Sequence, residues 1–95
     1  MEIFDLEEME EKQAFYKEEE FKARHILLSE GEEIPPCEMS SYVIFIVLDG
    51  DVEVTVDEEL VTLSEGKCLI TEPATLSMET EEGVKILGMQ ISKGG

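Results

Sequence analysis

Tyr42–Asp57 reads YVIFIVLDGDVEVTVD, and two hydrophobic patterns meet inside it. Tyr42–Leu48 is a continuous apolar run rich in β-branched residues, the pattern of a strand covered on both faces. Asp51–Asp57 alternates instead, with Val52, Val54 and Val56 on one face and acids or Thr on the other. Between the two lies Asp49-Gly50, a strong two-residue hairpin signal. The stretch therefore predicts two strands joined by a tight turn.

The flanking sequence repeats this punctuation. Downstream, Asp57-Glu58-Glu59 turns into LVTL, Glu65-Gly66 turns into KCLIT, Pro73 marks a corner and Val84–Ile91 closes the series. Upstream, Phe21–Leu28 (FKARHILL) leads to a turn at Ser29–Glu32, and Pro35 and Pro36 interrupt pairing ahead of Cys37–Met39. Short strands with turn signals at this spacing form a sandwich or closed barrel. Helical stretches long enough for βαβ crossovers are missing, which excludes a parallel sheet. Residues 1–20 carry nine acids and two lysines, with Ile3, Leu6, Met9 and Tyr16 at loosely helical spacing. That segment reads either as one short helix or as a turn plus an edge strand, in both cases a cover packing on the barrel formed by residues 21–95.

Ninety-five residues suffice for one domain with one core. A formal charge of −17 repels nucleic acid and anionic membranes, and the seven bases (Lys12, Lys17, Lys22, Arg24, Lys67, Lys85, Lys93) are scattered. No apolar run reaches the roughly 18 residues of a membrane span. The acidic N-terminus does not resemble a signal peptide, so a cytoplasmic location is expected. Cys37 and Cys68 lack C-x-x-C spacing and are expected as free, buried thiols. His25, the only histidine, reads as structural or surface-lying. No G-x-S-x-G is present, and acid pairs such as Glu58-Glu59 and Glu81-Glu82 fall in turns.

One spacing is more specific. Gly31 is followed by five residues, Cys37-Glu38-Met39, three residues, Val43, six residues and Gly50; a second run spans Gly66 to Ser77 through Pro73. In this spacing residues 22–92 resemble the cupin superfamily. The resemblance implies an all-β fold, a single antiparallel barrel of the double-stranded β-helix or jelly-roll kind. It also implies that the positions holding a divalent metal in cupins are Cys37, Met39, Val43 and Ser77. None of these is His or a carboxylate, so no cofactor is expected, and neither is metal-dependent cupin chemistry.

The inward set expected from the resemblance is Cys37, Met39, Val43, Phe45, Val47 and Ser77. Of these, Cys37, Met39, Val43, Phe45 and Ser77 are the expected contacts of a small, mostly apolar ligand. Cys37 and Met39, joined by Met78 if the register slips by one residue, form an alternative soft set suited to Cu(I). A solidly packed barrel acting as a homodimer is the other alternative, and Cys37 is the one candidate nucleophile should the protein be an enzyme.

Overall fold

The computed structural model describes residues 1–92. Lys93 and the last two residues expected in the barrel lie outside the described residues. Eight strands follow one another: β1 (Gln13–Lys17), β2 (Phe21–Leu28), β3 (Glu33–Glu38), β4 (Tyr42–Val56), β5 (Glu59–Ser64), β6 (Cys68–Thr71), β7 (Thr75–Glu79) and β8 (Val84–Ile91). Every pairing is antiparallel. One sheet runs β1-β2-β8-β4-β6 and the other β5-β4-β7-β3. The two curl into a single barrel, as the strand pattern predicts.

The hairpin expected at Asp49-Gly50 does not exist. β4 continues through it as one 15-residue strand. Fully extended, such a strand would span roughly 50 Å, yet the longest dimension of the molecule is 37 Å. The strand must bend, and it bends at this dipeptide. Residues 42–50 pair with β6 and β8 in the first sheet, whereas residues 51–56 pair with β5 and β7 in the second. Gly50 supplies the bend with φ +86°, beside a bulge between Val47 and Asp49. The positive φ that favours Gly in a hairpin serves equally well for a strand that changes sheets. Thr80 fixes the neighbouring turn: its buried Oγ1 donates to Asp51 O at 2.7 Å and accepts from Gly83 N at 3.0 Å.

The alternation in β4 fills the interior from both halves. Val43, Phe45 and Val47 face inward before the bend, and Val52 and Val54 after it. They meet Ile26 and Leu28 of β2, Leu76 and Met78 of β7, and Val84 and Ile86 of β8. Tyr42–Leu48 is thus fully buried on one face only; Ile44 and Ile46 on the other face stay half-buried. Pro35 and Pro36 lie inside β3, where a register irregularity between Ile34 and Cys37 accommodates the donors they lack.

The N-terminal segment adopts the second of its two sequence readings, a turn around Leu6–Glu8 and then the edge strand β1. It crosses the outer face of the first sheet. His25 Nδ1 lies 2.8 Å from Glu11 O, and Lys85 Nζ donates to Glu7 O at 3.2 Å. Phe4, Phe15, Tyr16 and Phe21 cluster at its end, with Phe4 and Phe15 centroids 4.8 Å apart and Tyr16 stacked on Phe21 at 5.5 Å. Tyr16 Oη also donates to Glu18 at 3.1 Å; that bond, and then the carboxylate charge, hold the phenol pKa above its usual value. Four of the chain's six aromatics thus secure the cover rather than fill the barrel.

Candidate functional site

At one end of the barrel the side chains leave a cavity of about 120 Å³. Three features of the sequence create it. Gly88 of β8 sits opposite Phe45 of β4, and a Cβ there would stand 3.0 Å from Ile26 Cδ1 and 3.4 Å from Phe45 Cδ1. A side chain there would have to displace Ile26 or Phe45, so β8 lines the cavity at this point with bare backbone. The proline-containing irregularity in β3 holds Ile34 and Cys37 at the rim. Met39, just beyond β3, is tied across by its N–H donating to Ala74 O at 2.9 Å. Ile26, Val43, Leu76 and Met78 complete an apolar wall.

All five residues expected from the sequence border this cavity: Cys37, Met39, Val43, Phe45 and Ser77. Their roles differ. Val43 and Phe45 are buried wall, and Met39 is half-buried. Cys37 is exposed, and Cys68 is exposed on β6, so neither thiol is the buried core residue expected. Both lie on short strands near sheet edges, where neighbouring side chains do not cover them. Ser77 requires a correction as an inward residue. In β7 the buried positions are Leu76 and Met78, while Ser77 pairs with Thr55 and both are only half-buried. With a side-chain period of two, a slip of one residue exchanges the faces, so Met78 takes the inward place. Cys37, Met39 and Met78 do line one cavity.

Sequence reasoning missed the most consequential lining residue, Arg24. It precedes Ile26 by two on β2 and shares its inward face, as do Lys22 and Leu28. Its Nε is buried and has no hydrogen-bond partner. Leaving such a donor unpaired costs roughly 1–3 kcal/mol. Gln90 also lines the cavity, its Nε2 donating only a long contact of 3.9 Å to Met39 Sδ. His25, one residue from Arg24, faces the other way; it is 0% exposed beneath the N-terminal segment.

A larger cleft of about 570 Å³ lies elsewhere, bordered by Asp51, Glu53, Glu79, Glu81 and Glu82. Carboxylates dominate that cleft, and it offers no apolar enclosure. Among the described residues no group of three or more His, Cys, Asp or Glu could hold a metal ion. No helix among them is long and apolar enough to cross a membrane.

No protein-family model matches the sequence, and no curated protein is similar enough to count as a relative. Solved structures are similar in fold. The TT1209 protein of Thermus thermophilus superposes with a TM-score of 0.88 at 21% identity, over 97% of this chain and 98% of that one. The cupin domain of Schizosaccharomyces pombe Cnp3 gives 0.86 at 20% identity, over 95% and 73%. An RmlC-like cupin protein from Desulfovibrio desulfuricans gives 0.85 at 18% identity, over 96% of each chain. At these identities the likeness is one of architecture: the chain folds as a cupin-type barrel.

Proposed function

We propose that this cupin-fold barrel is a non-catalytic binding module that takes one small, mostly apolar molecule into the cavity beside Phe45 and Gly88, in a sensing role. The observation that carries the reading is the hollow itself, about 120 Å³ walled by aliphatic and sulfur-bearing side chains. An engineered apolar cavity of about 150 Å³ in another protein takes up benzene, so this one suits a body of four or five carbons. The non-catalytic part rests on what surrounds Cys37. The chain's one imidazole, His25, is on the opposite face of β2, out of reach as a base for that thiol.

The reading is tested by thermal shift across a panel of four- to six-carbon compounds. A ligand at about 100 times its Kd adds about 2.7 kcal/mol, which moves the melting temperature of a domain this size by on the order of 10 °C. Gly88→Ala should cost about 1–3 kcal/mol and at least halve the shift, because the new methyl pushes Ile26 Cδ1 and the Phe45 ring toward the cavity. A flat response across the panel sinks the proposal.

A second reading, a homodimer, is favoured by the outer face of the first sheet. Two cross-strand rows run from β6 to β2: Ile70, Ile44, Met89, Ala23, and Cys68, Ile46, Leu87, His25. Burial rises along them from β6 to β2. Ala23 and His25 are buried under the N-terminal segment, Met89, Leu87, Ile44 and Ile46 are half-buried, and Ile70 is 70% exposed. The cover protects only the β2 side, and a second copy would protect the rest. Light scattering is expected to give twice the chain mass at about 0.5 M salt and a larger monomer fraction at about 0.05 M, where the like charges are poorly screened. Ile70→Glu should be monomeric throughout. A parent protein that is monomeric at high salt ends the dimer reading.

A further inference from the structure

Two buried side-chain nitrogens have no hydrogen-bond partner among the described residues, Arg24 Nε and His25 Nε2. As neighbours on a strand they point to opposite faces. The histidine lies under the N-terminal segment, whereas the arginine borders the cavity. A guanidinium is permanently charged, and its planar fork matches a carboxylate. Lys22 shares the inward face of β2 and pairs in register with Gln90, whose amide borders the same cavity. Two of only seven bases in a chain of charge −17 thus fall on the inward face of one strand. A guanidinium beside the sulfurs of Cys37, Met39 and Met78 also repels any cation there, which weighs against Cu(I). A neutral hydrocarbon would fill the apolar end and leave the Nε–H unpaired.

We infer that the ligand of this cavity is a compact monocarboxylate, its carboxylate on Arg24 and its branched or short apolar body against Ile26, Phe45 and Met78. The inference rests on the ligand-binding reading above and adds the chemical class. It also accounts for the orphaned donor: a buried Nε–H without a partner opposes folding and gains one when an acceptor enters the cavity.

The probes are three molecules of one shape, 3-methylbutanoate, 3-methylbutanamide and 3-methylbutylamine, titrated calorimetrically into the full chain at about 0.15 M salt. The acid is expected to bind at least about 10-fold more tightly than the amide, the difference between a charge-assisted and a neutral hydrogen bond. The amine should not bind measurably. Arg24→Met should abolish the acid's advantage and leave the amide within about twofold. The free Arg24→Met protein should melt at or above the parent, the reverse of what a structural arginine would give. An amide that binds as well as the acid overturns the carboxylate assignment but leaves the apolar-ligand reading standing. Failure of all three probes together with a flat thermal-shift panel removes both. Should Arg24→Met not fold, the acid-to-amide ratio of the parent still decides the matter.

Discussion

Gly50→Ala should leave little folded protein. Two penalties coincide at this position. With φ at +86°, an L side chain is held in the left-handed region, which costs roughly 1–3 kcal/mol. A Cβ would also collide with the Gly83 carbonyl oxygen and stand 3.1 Å from Val84 Cα. Both obstacles are backbone, and Gly83 is held in place by its N–H bond to Thr80, so neither can swing aside. The sum should exceed about 3 kcal/mol, a large share of the roughly 5–15 kcal/mol that stabilises a domain. Gly66→Ala is the matched control: its φ is +88°, but nothing lies within 4 Å of the added Cβ. Urea denaturation followed by circular dichroism should show Gly66→Ala modestly weakened and Gly50→Ala unfolded or nearly so. Equal losses in the two variants would mean that the close approach at the bend does not matter.

Phe45→Ala should lose about 3–5 kcal/mol, the range for emptying a buried aromatic position. Phe45 is 7% exposed, its ring packs in the core cluster, and it forms one wall of the cavity. Removing the ring therefore joins its volume to an existing hollow, and the surrounding strands, paired on both sides, cannot collapse to fill it. The enlarged space should accept a small aromatic. Toluene is expected to raise the melting temperature of Phe45→Ala and to leave the parent unchanged. A loss under about 1 kcal/mol, or no rescue by toluene, would show that the ring is not a wall of this cavity.

How far the sequence could be read follows from the range over which each signal acts. The period of two in Val52–Val56 and the β-branched run at 42–48 are set by neighbours in the chain, and both stretches are extended as expected, though as two halves of one strand. Asp49-Gly50 also acts locally, but all it specifies is a positive φ. Whether the chain then reverses or passes into a second sheet is decided by strands β6, β7 and β8, which have not yet been reached. Ser77 was misplaced because a spacing match fixes position to within a residue, while orientation changes with each one. The hollow depends on Gly88 lying across from Phe45, a juxtaposition visible only once register is known. Arg24 was legible: Lys22, Arg24, Ile26 and Leu28 share a parity in FKARHILL. Its charge carries no orientation by itself; the parity does, and that parity has meaning only once one face of β2 is known to be the inner one.

The position of β8 has a consequence for how the molecule is made. This strand is the last of the eight in chain order yet sits in the middle of its sheet, between β2 and β4. Until Ile91 has left the ribosome, β2 and the first half of β4 have no partner in common, and the rows that seal the interior remain open. Docking therefore waits for the final strand to thread between two that have long been waiting, a non-local closure of the sort that makes β proteins slow to fold. During that interval one edge of the apolar stretch at 42–48, the one β8 will take, is unpaired. The mutual repulsion of so many carboxylates then has a use the finished barrel does not reveal, keeping nascent chains apart until the gap is filled.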